Sequence, residues 1–457
     1  MTIDITTAAD AFDGLCGGAV VRPGDPSYDA ARQAWNLTVD QRPALIAYPA
    51  DATEVSDVLR AARATGLRVA PQATGHNAAP LGSLEDAVLL RTSALTGVQI
   101  DPERRVARVG AGVLWEDVVD AAAPHGLVAL HGSSPDVSVV GYSLGGGMGW
   151  LARKHGLQTN SITAVELVTA DGELVRADRD HHADLFWALR GGGGNFGVVT
   201  ALEFALYQLR EAYAGMLVWD WQRADQVLAR FAEWAAGAPD EVTTSLRILQ
   251  VPDIPLAPEP LRGRQVVVID GAVTGTTADG ERVLAPLREL RPELDTFAMV
   301  PAPALVRLHG DPEEPVPGVG DTAMLAELPG EAIDALLAVA GPDSGSPLSM
   351  VELRQLGGAL GHPAPGGGAL AALDGEFVLF AVTMAPTPEI AAAGRAYAHK
   401  VIAAMAAWSN GRRYLNFAEE DVDTRAGYDA AAYARLQAIR DRVDPDGVLM
   451  ANHEVRA

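Results

Sequence analysis

Two stretches that are almost free of side-chain bulk constrain this chain more than anything else in it: Gly132-Ser-Ser-Pro-Asp-Val-Ser-Val-Val-Gly-Tyr-Ser-Leu-Gly-Gly-Gly-Met-Gly149 and Arg190-Gly-Gly-Gly-Gly-Asn-Phe-Gly197. Such runs cannot supply a core of their own. They read either as tight turns and close backbone packing or as a wall along which a ligand lies against backbone N–H groups, where a Cβ would block the approach. The Gly145-Gly146-Gly147-Met148-Gly149 run fits a dinucleotide fingerprint only loosely. It comes after several strands rather than in the first βα turn, which argues against a nicotinamide-binding Rossmann domain.

The segment from Arg42 to His76 is the first clear unit. Ala44–Tyr48 reads as a strand, and Asp51 with Glu54 three positions on is a capping-box pattern that opens a helix ending near Gly66. A second strand, Leu67–Ala70, runs directly into Pro71-Gln72-Ala73-Thr74-Gly75-His76-Asn77. A strand feeding a glycine-containing loop can hold a phosphate on backbone donors. Neither 71–83 nor 132–149 contains a lysine or arginine, so a diphosphate there would rest on the backbone alone.

Short strands at Val88–Leu90, Val106–Val109, Thr163–Thr169 and Val198–Leu206, with helices at Trp115–Ala123 and Leu185–Leu189, complete this half. Beyond about residue 208 the pattern predicts helices at Ala224–Ala236, Glu331–Ala340 and Pro388–Trp408. Strands are expected at Thr244–Val251, Arg264–Asp270, Met350–Arg354 and Phe377–Met384, and Pro/Gly-rich loops at 301–320 and 361–368. The last 45 or so residues read as a strand at Tyr414 and a helix through Arg440, stopped at Asp444-Pro445.

Composition narrows the function. With 457 residues, 48% hydrophobic and 21% charged, the chain is long enough for more than one core. A net charge of −24 argues against nucleic acid, whose binding needs Lys and Arg to neutralise phosphates. Lys154 and Lys400 are the only lysines and sit in no Schiff-base motif. The single cysteine, Cys16, excludes disulfides within the chain and metal sites built on paired cysteines. No apolar run is long enough to span a bilayer, and the first residues, with Asp4 and Asp10 and no basic region, do not read as a signal peptide; the expectation is a cytoplasmic protein.

Taken together and in order, these segments resemble the vanillyl-alcohol-oxidase type of FAD-binding domain found in berberine-bridge-enzyme-like oxidases. Gln72–Asn77 is similar to that family's phosphate loop, Gly132–Gly149 to its second loop, Ala188–Phe204 to its late glycine motif, and Tyr414-Leu415-Asn416-Phe417 to its C-terminal Y-x-N-Y. The resemblance implies an α+β, two-domain fold. An FAD-binding domain would span residues 1–208 and be completed by 409–457; a substrate domain, 209–408, would be an antiparallel sheet backed by helices. It implies FAD bound by Gln72, Ala73, Thr74, Gly75 and Asn77 at the pyrophosphate, by Ser134, Gly141, Ser143, Gly146 and Gly147 along the ribityl chain and ring, by Val199 at the adenine and by Asn416. His76 would carry an 8α-histidyl link to the flavin.

Three departures from the family pattern matter. Ser134 stands where many relatives have a cysteine that forms a second covalent tether, and a serine hydroxyl does not make that link. Phe417 replaces the phenol at the end of Y-x-N-Y, and Phe377–Met384 presents no ionisable residue. Tyr142 and Glu352, the latter beside Arg354, are left as candidate catalytic bases; for the Glu352–Arg354 pair a solvent-side ion pair is an equal reading. The expected activity is hydride transfer to flavin N5 from a C–H next to a hydroxyl or amine of a small hydrophobic or aromatic molecule, with dioxygen or another acceptor reoxidising the flavin. The alternatives are a dehydrogenase with a different acceptor and a flavin enzyme of non-redox or cyclising chemistry.

Overall fold

The computed structural model describes residues 10–254 and 259–456, which leaves Asp4 outside the described residues. The first segment folds as its sequence pattern requires. Strand Leu45–Ala47 is followed by helix Ala52–Thr65 and strand Arg68–Gln72, and both strands lie parallel to Ala87–Arg91 between them. Asp51 caps the helix by accepting from Thr53 and Glu54 N–H at 2.8 and 3.0 Å, while Glu54 reaches back to the N–H of Ala50 at 2.7 Å. Gly66 ends it in the left-handed region at φ 78°.

Next to this sheet is a five-stranded antiparallel one, in the order Val98–Asp101, Val106–Gly110, Val198–Ala205, Ile162–Val168, Leu174–Asp178. The two sheets share a core that extends from Phe12 to Leu206 and takes up the chain again from Leu415 to Val455. Leu436 and Ile439 of helix Ala430–Val443 are buried in that core, and Leu449 bridges to Val69 at the edge of the first sheet.

Between these two passages the chain builds a second core around one large antiparallel sheet. Its central strands run Glu211–Asp220, Gln265–Val273, Val242–Gln250, Met350–Gln355, Phe377–Met384, Gly318–Leu325. Helices Ala224–Ala236, Thr277–Arg288, Gly330–Ala340 and Pro388–Ala404 contribute to the core on one face. Because strand side chains alternate between faces, Leu246, Ile248, Val351, Leu353, Leu379 and Ala381 enter the helix-backed core. Their neighbours Met350, Glu352, Arg354, Phe380, Val382 and Met384 look the other way, toward the first unit.

One expectation fails. Tyr414 is not in a strand: Leu415–Phe417 is a 3-10 turn, with the Phe417 N–H bonded back to Tyr414 O at 2.9 Å and no neighbouring strand to pair with. Within 132–149, Val139–Leu144 forms a short helix whose N-cap is Ser138. No helix among the described residues is long and apolar enough to cross a membrane.

Candidate active site

A cavity of about 520 Å³ lies between the two units. Loop residues 72–77, with Ser134, Gly141, Val199 and Asn416, line it, together with the glycines 191–194 and 197. Gly75 needs its φ of +87°, and a Cβ there would press on Gln72 and on the backbone of Ala34 at 2.8–3.0 Å. A Cβ on Gly145 would fall 1.9 Å from Asn416 Oδ1. Both polar atoms of the Gln72 amide and Oδ1 of Asn77 are buried with no hydrogen-bond partner among the described residues. Buried polar atoms are rarely left so, and these face a groove without bulk. Among the described residues lining the cavity, Arg354 is the only arginine or lysine. The wall therefore fits a long ligand whose phosphates are held by backbone donors, which is the chemistry FAD requires.

Ser143, Gly146 and Gly147 are not among the residues lining the cavity, although Gly141, Leu144, Gly145 and Met148 beside them are. Ser143 is fully buried, its Oγ without a hydrogen-bond partner among the described residues. Gly147 donates its N–H to the Tyr414 hydroxyl at 2.9 Å, and a Cβ on it would lie 2.4 Å from the Tyr142 ring. Close packing, the other reading of the glycine run, is what Gly146 and Gly147 serve. Asn416 secures this junction, donating to Tyr142 O at 3.0 Å.

His76 sits at the loop tip. Trp35 stacks on its ring with centroids 3.9 Å apart, and its Nε2 lies 3.6 Å from Asp136 Oδ2. Asp136 also accepts from Ser134 Oγ at 2.9 Å and from the Trp35 indole N–H. Burial opposes its charge, yet His76, Ser134 and Trp35 together hold its carboxyl below the ordinary value. Neither Trp35 nor Asp136 is singled out by any sequence pattern.

The opposite wall is the exposed face of the large sheet. Glu352 and Arg354 do line the cavity, but not as a solvent-side pair. Glu352 is 1% exposed, accepts from Arg354 Nε at 2.7 Å and from Ser245 Oγ at 2.6 Å. Burial alone would raise its carboxyl; chiefly Arg354, with His309 and Ser245, brings it to about 2 instead. A carboxylate held so firmly ionised is a poor proton acceptor near neutral pH. Tyr142 also lines the cavity, but its hydroxyl donates to Leu130 O at 3.2 Å and burial pushes the phenol well above its usual value. Both candidate bases are thus in the site and poorly suited to that role. Where the resemblance led one to look for a phenol, the Phe417 ring lies tilted at 40° against Phe380, centroids 5.2 Å apart, with Arg354 5.0 Å above it. Glu419, also on the cavity wall, is pushed up to about 7 by burial despite the Gly320 N–H.

Behind this wall lies a group that the sequence pattern does not reveal. His309 lines the cavity with its side chain 1% exposed and its Nδ1 2.9 Å from Asp270 Oδ2. Asp270 is wholly buried and also binds Arg247 at 2.5 Å. The one trace in the sequence is an Asp closing the apolar run Val266-Val267-Val268-Ile269.

Residues 43–178 match the FAD binding domain family. Over 203 residues the chain is 38% identical to (R)-6-hydroxynicotine oxidase of Paenarthrobacter nicotinovorans, a match that takes in 44% of this chain and 44% of that one, so in sequence the chain spans less than half the length of this relative. In structure it is similar to 6-hydroxy-D-nicotine oxidase of Arthrobacter nicotinovorans over 96% of its length and 97% of the other, with a TM-score of 0.83 and 26% identity. The fold is also that of a Physcomitrella patens berberine-bridge-enzyme-like protein, with a TM-score of 0.86 at 20% identity over 98% and 99% of the two chains. Residues 43–178 are thus an FAD binding domain, and with the glycine-walled groove and the helix-backed sheet facing it the whole chain has the fold shared by 6-hydroxy-D-nicotine oxidase and the berberine-bridge-enzyme-like protein.

Proposed function

We propose that this protein is an FAD-dependent oxidase that takes hydride from a C–H beside a hydroxyl or amine of a small hydrophobic or aromatic molecule. The observation that carries the reading is the pairing of two unlike walls across one cavity: a glycine-lined groove with unsatisfied Gln72 and Asn77, and a sheet face bearing Phe380 and the buried Glu352–Arg354 pair, with Phe417 of the 3-10 turn beside it. The similarity to proteins named 6-hydroxynicotine oxidase supports a small-molecule substrate with dioxygen as acceptor. When bound, FAD supplies a two-electron acceptor.

In this reading residues 1–208 and 409–457 form the FAD-binding domain and 209–408 the substrate domain. Gln72–Asn77, Ser134, Gly141, Val199 and Asn416 hold the cofactor. His76 is the covalent attachment point: Trp35 fixes its ring plane and Asp136, 3.6 Å from Nε2, is placed to accept its proton. The apolar side chains of Phe380, Val382 and Phe417 orient the substrate and exclude water.

Anaerobic mixing of the purified yellow protein with benzylic alcohols and amines should bleach the flavin; bleaching by none of them, in protein that dithionite does reduce, removes the oxidase reading for this substrate class. The His76→Ala variant should fold and bind flavin but lose it on acid precipitation. Flavin that stays in the pellet would remove His76 from its role.

A further inference from the structure

We infer that His309, oriented by Asp270, is the base that accepts the substrate's hydroxyl or amine proton as hydride leaves. The inference rests on the oxidoreductase reading above and names the proton acceptor that Phe417, Glu352 and Tyr142 do not supply.

His309 Nε2 lies 3.5 Å from two groups, Arg354 Nη2, which can only donate, and the ionised Glu352 Oε1, which can only accept. In the inferred resting state Nε2 turns its lone pair to the Arg354 side and the ring proton, on Nδ1, is donated to Asp270 Oδ2 at 2.9 Å. Asp270 is itself anchored by Arg247, whose Nη1 also donates to the His309 carbonyl at 2.9 Å, so side chain and backbone of His309 are held by one unit. Trp150 closes the remaining side, its ring centred 5.6 Å from the imidazole. This is the arrangement in which a buried carboxylate selects the tautomer of a neighbouring base.

The direction is also right. Asp270 does not line the cavity, whereas Glu352, Arg354 and Asp311, the groups around Nε2, do. Nε2 lies 3.5 Å from Glu352 Oε1 and 3.9 Å from Asp311 Oδ1, and Ser133 Oγ holds Asp311 at 2.8 Å. With a neutral imidazole, the two arginines (247 and 354) and three carboxylates (270, 311 and 352) leave this cluster with one net negative charge. A proton arriving on Nε2 brings it to neutrality and acquires two carboxylate neighbours. In a medium of low polarity that balance favours the protonated product of the step.

The substrate O–H or N–H proton passes to His309 Nε2, and the electron pair of that bond becomes the second bond of C=O or C=N. The C–H pair leaves as hydride to the flavin. Dioxygen then takes up two electrons and two protons, one of them from His309, and departs as hydrogen peroxide.

The test has two arms on the flavin-loaded protein. In the first, nitrogen NMR of protein labelled in its histidine rings, with the His309 signals assigned by their loss in His309→Gln or, should that not fold, His309→Asn, should show a neutral ring protonated on Nδ1 at neutral pH. A proton on Nε2 overturns the inference. In the second, stopped-flow flavin reduction by benzyl alcohol and benzylamine should slow by about 10²–10⁴-fold in His309→Gln, with flavin content unchanged. A rate within about threefold of wild type overturns the inference. Failure of both probes to reduce even the wild type counts against the oxidase reading, and the first arm still decides the state of His309.

Discussion

The two walls of the cavity are built on opposite physical plans. The cofactor wall is made from backbone: glycines, a loop tip at His76, and no lysine or arginine among its described lining residues. Its recognition depends on shape and on N–H groups that have no side chain to remove. The sheet wall presents side-chain charge: Glu352 and Arg354 line it with the neighbouring His309, and Asp270 and Arg247 are paired behind them. A backbone wall yields when bulk is added to it, and a charged wall when a partner is removed. The first is suited to one constant ligand, the second to placing a proton.

The comparison predicts its sharpest break at Asp270. Asp270→Ala strands the buried Arg247 and should cost about 3–5 kcal/mol, seen as a lowered midpoint in thermal or denaturant unfolding. An effect near zero would mean the sheet wall is held by packing like its neighbour.

Acid should distinguish the walls next. The Glu352 carboxyl falls from 4.5 to about 2 in the folded protein. A depressed pKa contributes stability that is present above the unfolded value and lost as pH falls through the folded one, here about 3 kcal/mol between about pH 5 and 2. Denaturant titrations of wild type and Glu352→Gln over that range should converge as the pH drops. Parallel curves would show that Glu352 is not the group titrating.

On the cofactor wall, Gly75→Ala forces a Cβ into the left-handed region and against Ala34, at a cost of about 1–2 kcal/mol. The loss should appear as weaker FAD uptake in titrations of the apoprotein. Full FAD affinity in this variant would mean the loop does not hold the cofactor.

The smallest effect is expected at Ser134. Ser134→Cys gives up the hydrogen bond to Asp136, about 1 kcal/mol. It should also gain a partial second flavin link, detectable as a doubly attached flavopeptide by mass spectrometry. A thiol that stays free and reactive would place 132–149 away from the flavin edge.

The same contrast explains what could be read in advance. The cofactor wall is contiguous in sequence: the segments 71–77, 132–149 and 190–197 announce themselves by what they lack. Even there, helix Val139–Leu144 escapes notice, because Val-Val-Gly-Tyr-Ser is a weak helix former and only its packing and the Ser138 cap impose the turn. The charged groups at and behind the sheet wall come from positions 247, 270, 309, 352 and 354, scattered over three strands and, for His309, a Pro/Gly-rich connection. Only the register, which pairs Arg247 with Glu352 and Ser245 with both Asp270 and Arg354, brings them together. Glu352 and Arg354 are separated by one residue and could be named; their depth could not.

The return of the chain to its first core also sets a schedule. The groove's sheets are synthesised by about Leu206, yet Leu415, Leu436 and Leu449, which seal it, emerge only after the entire second unit. At roughly 5–20 residues per second, translation of the intervening stretch takes on the order of 10–40 s. For that interval the first core lacks Leu415, Leu436 and Leu449, so its packing is completed at the end of biosynthesis and not at its midpoint.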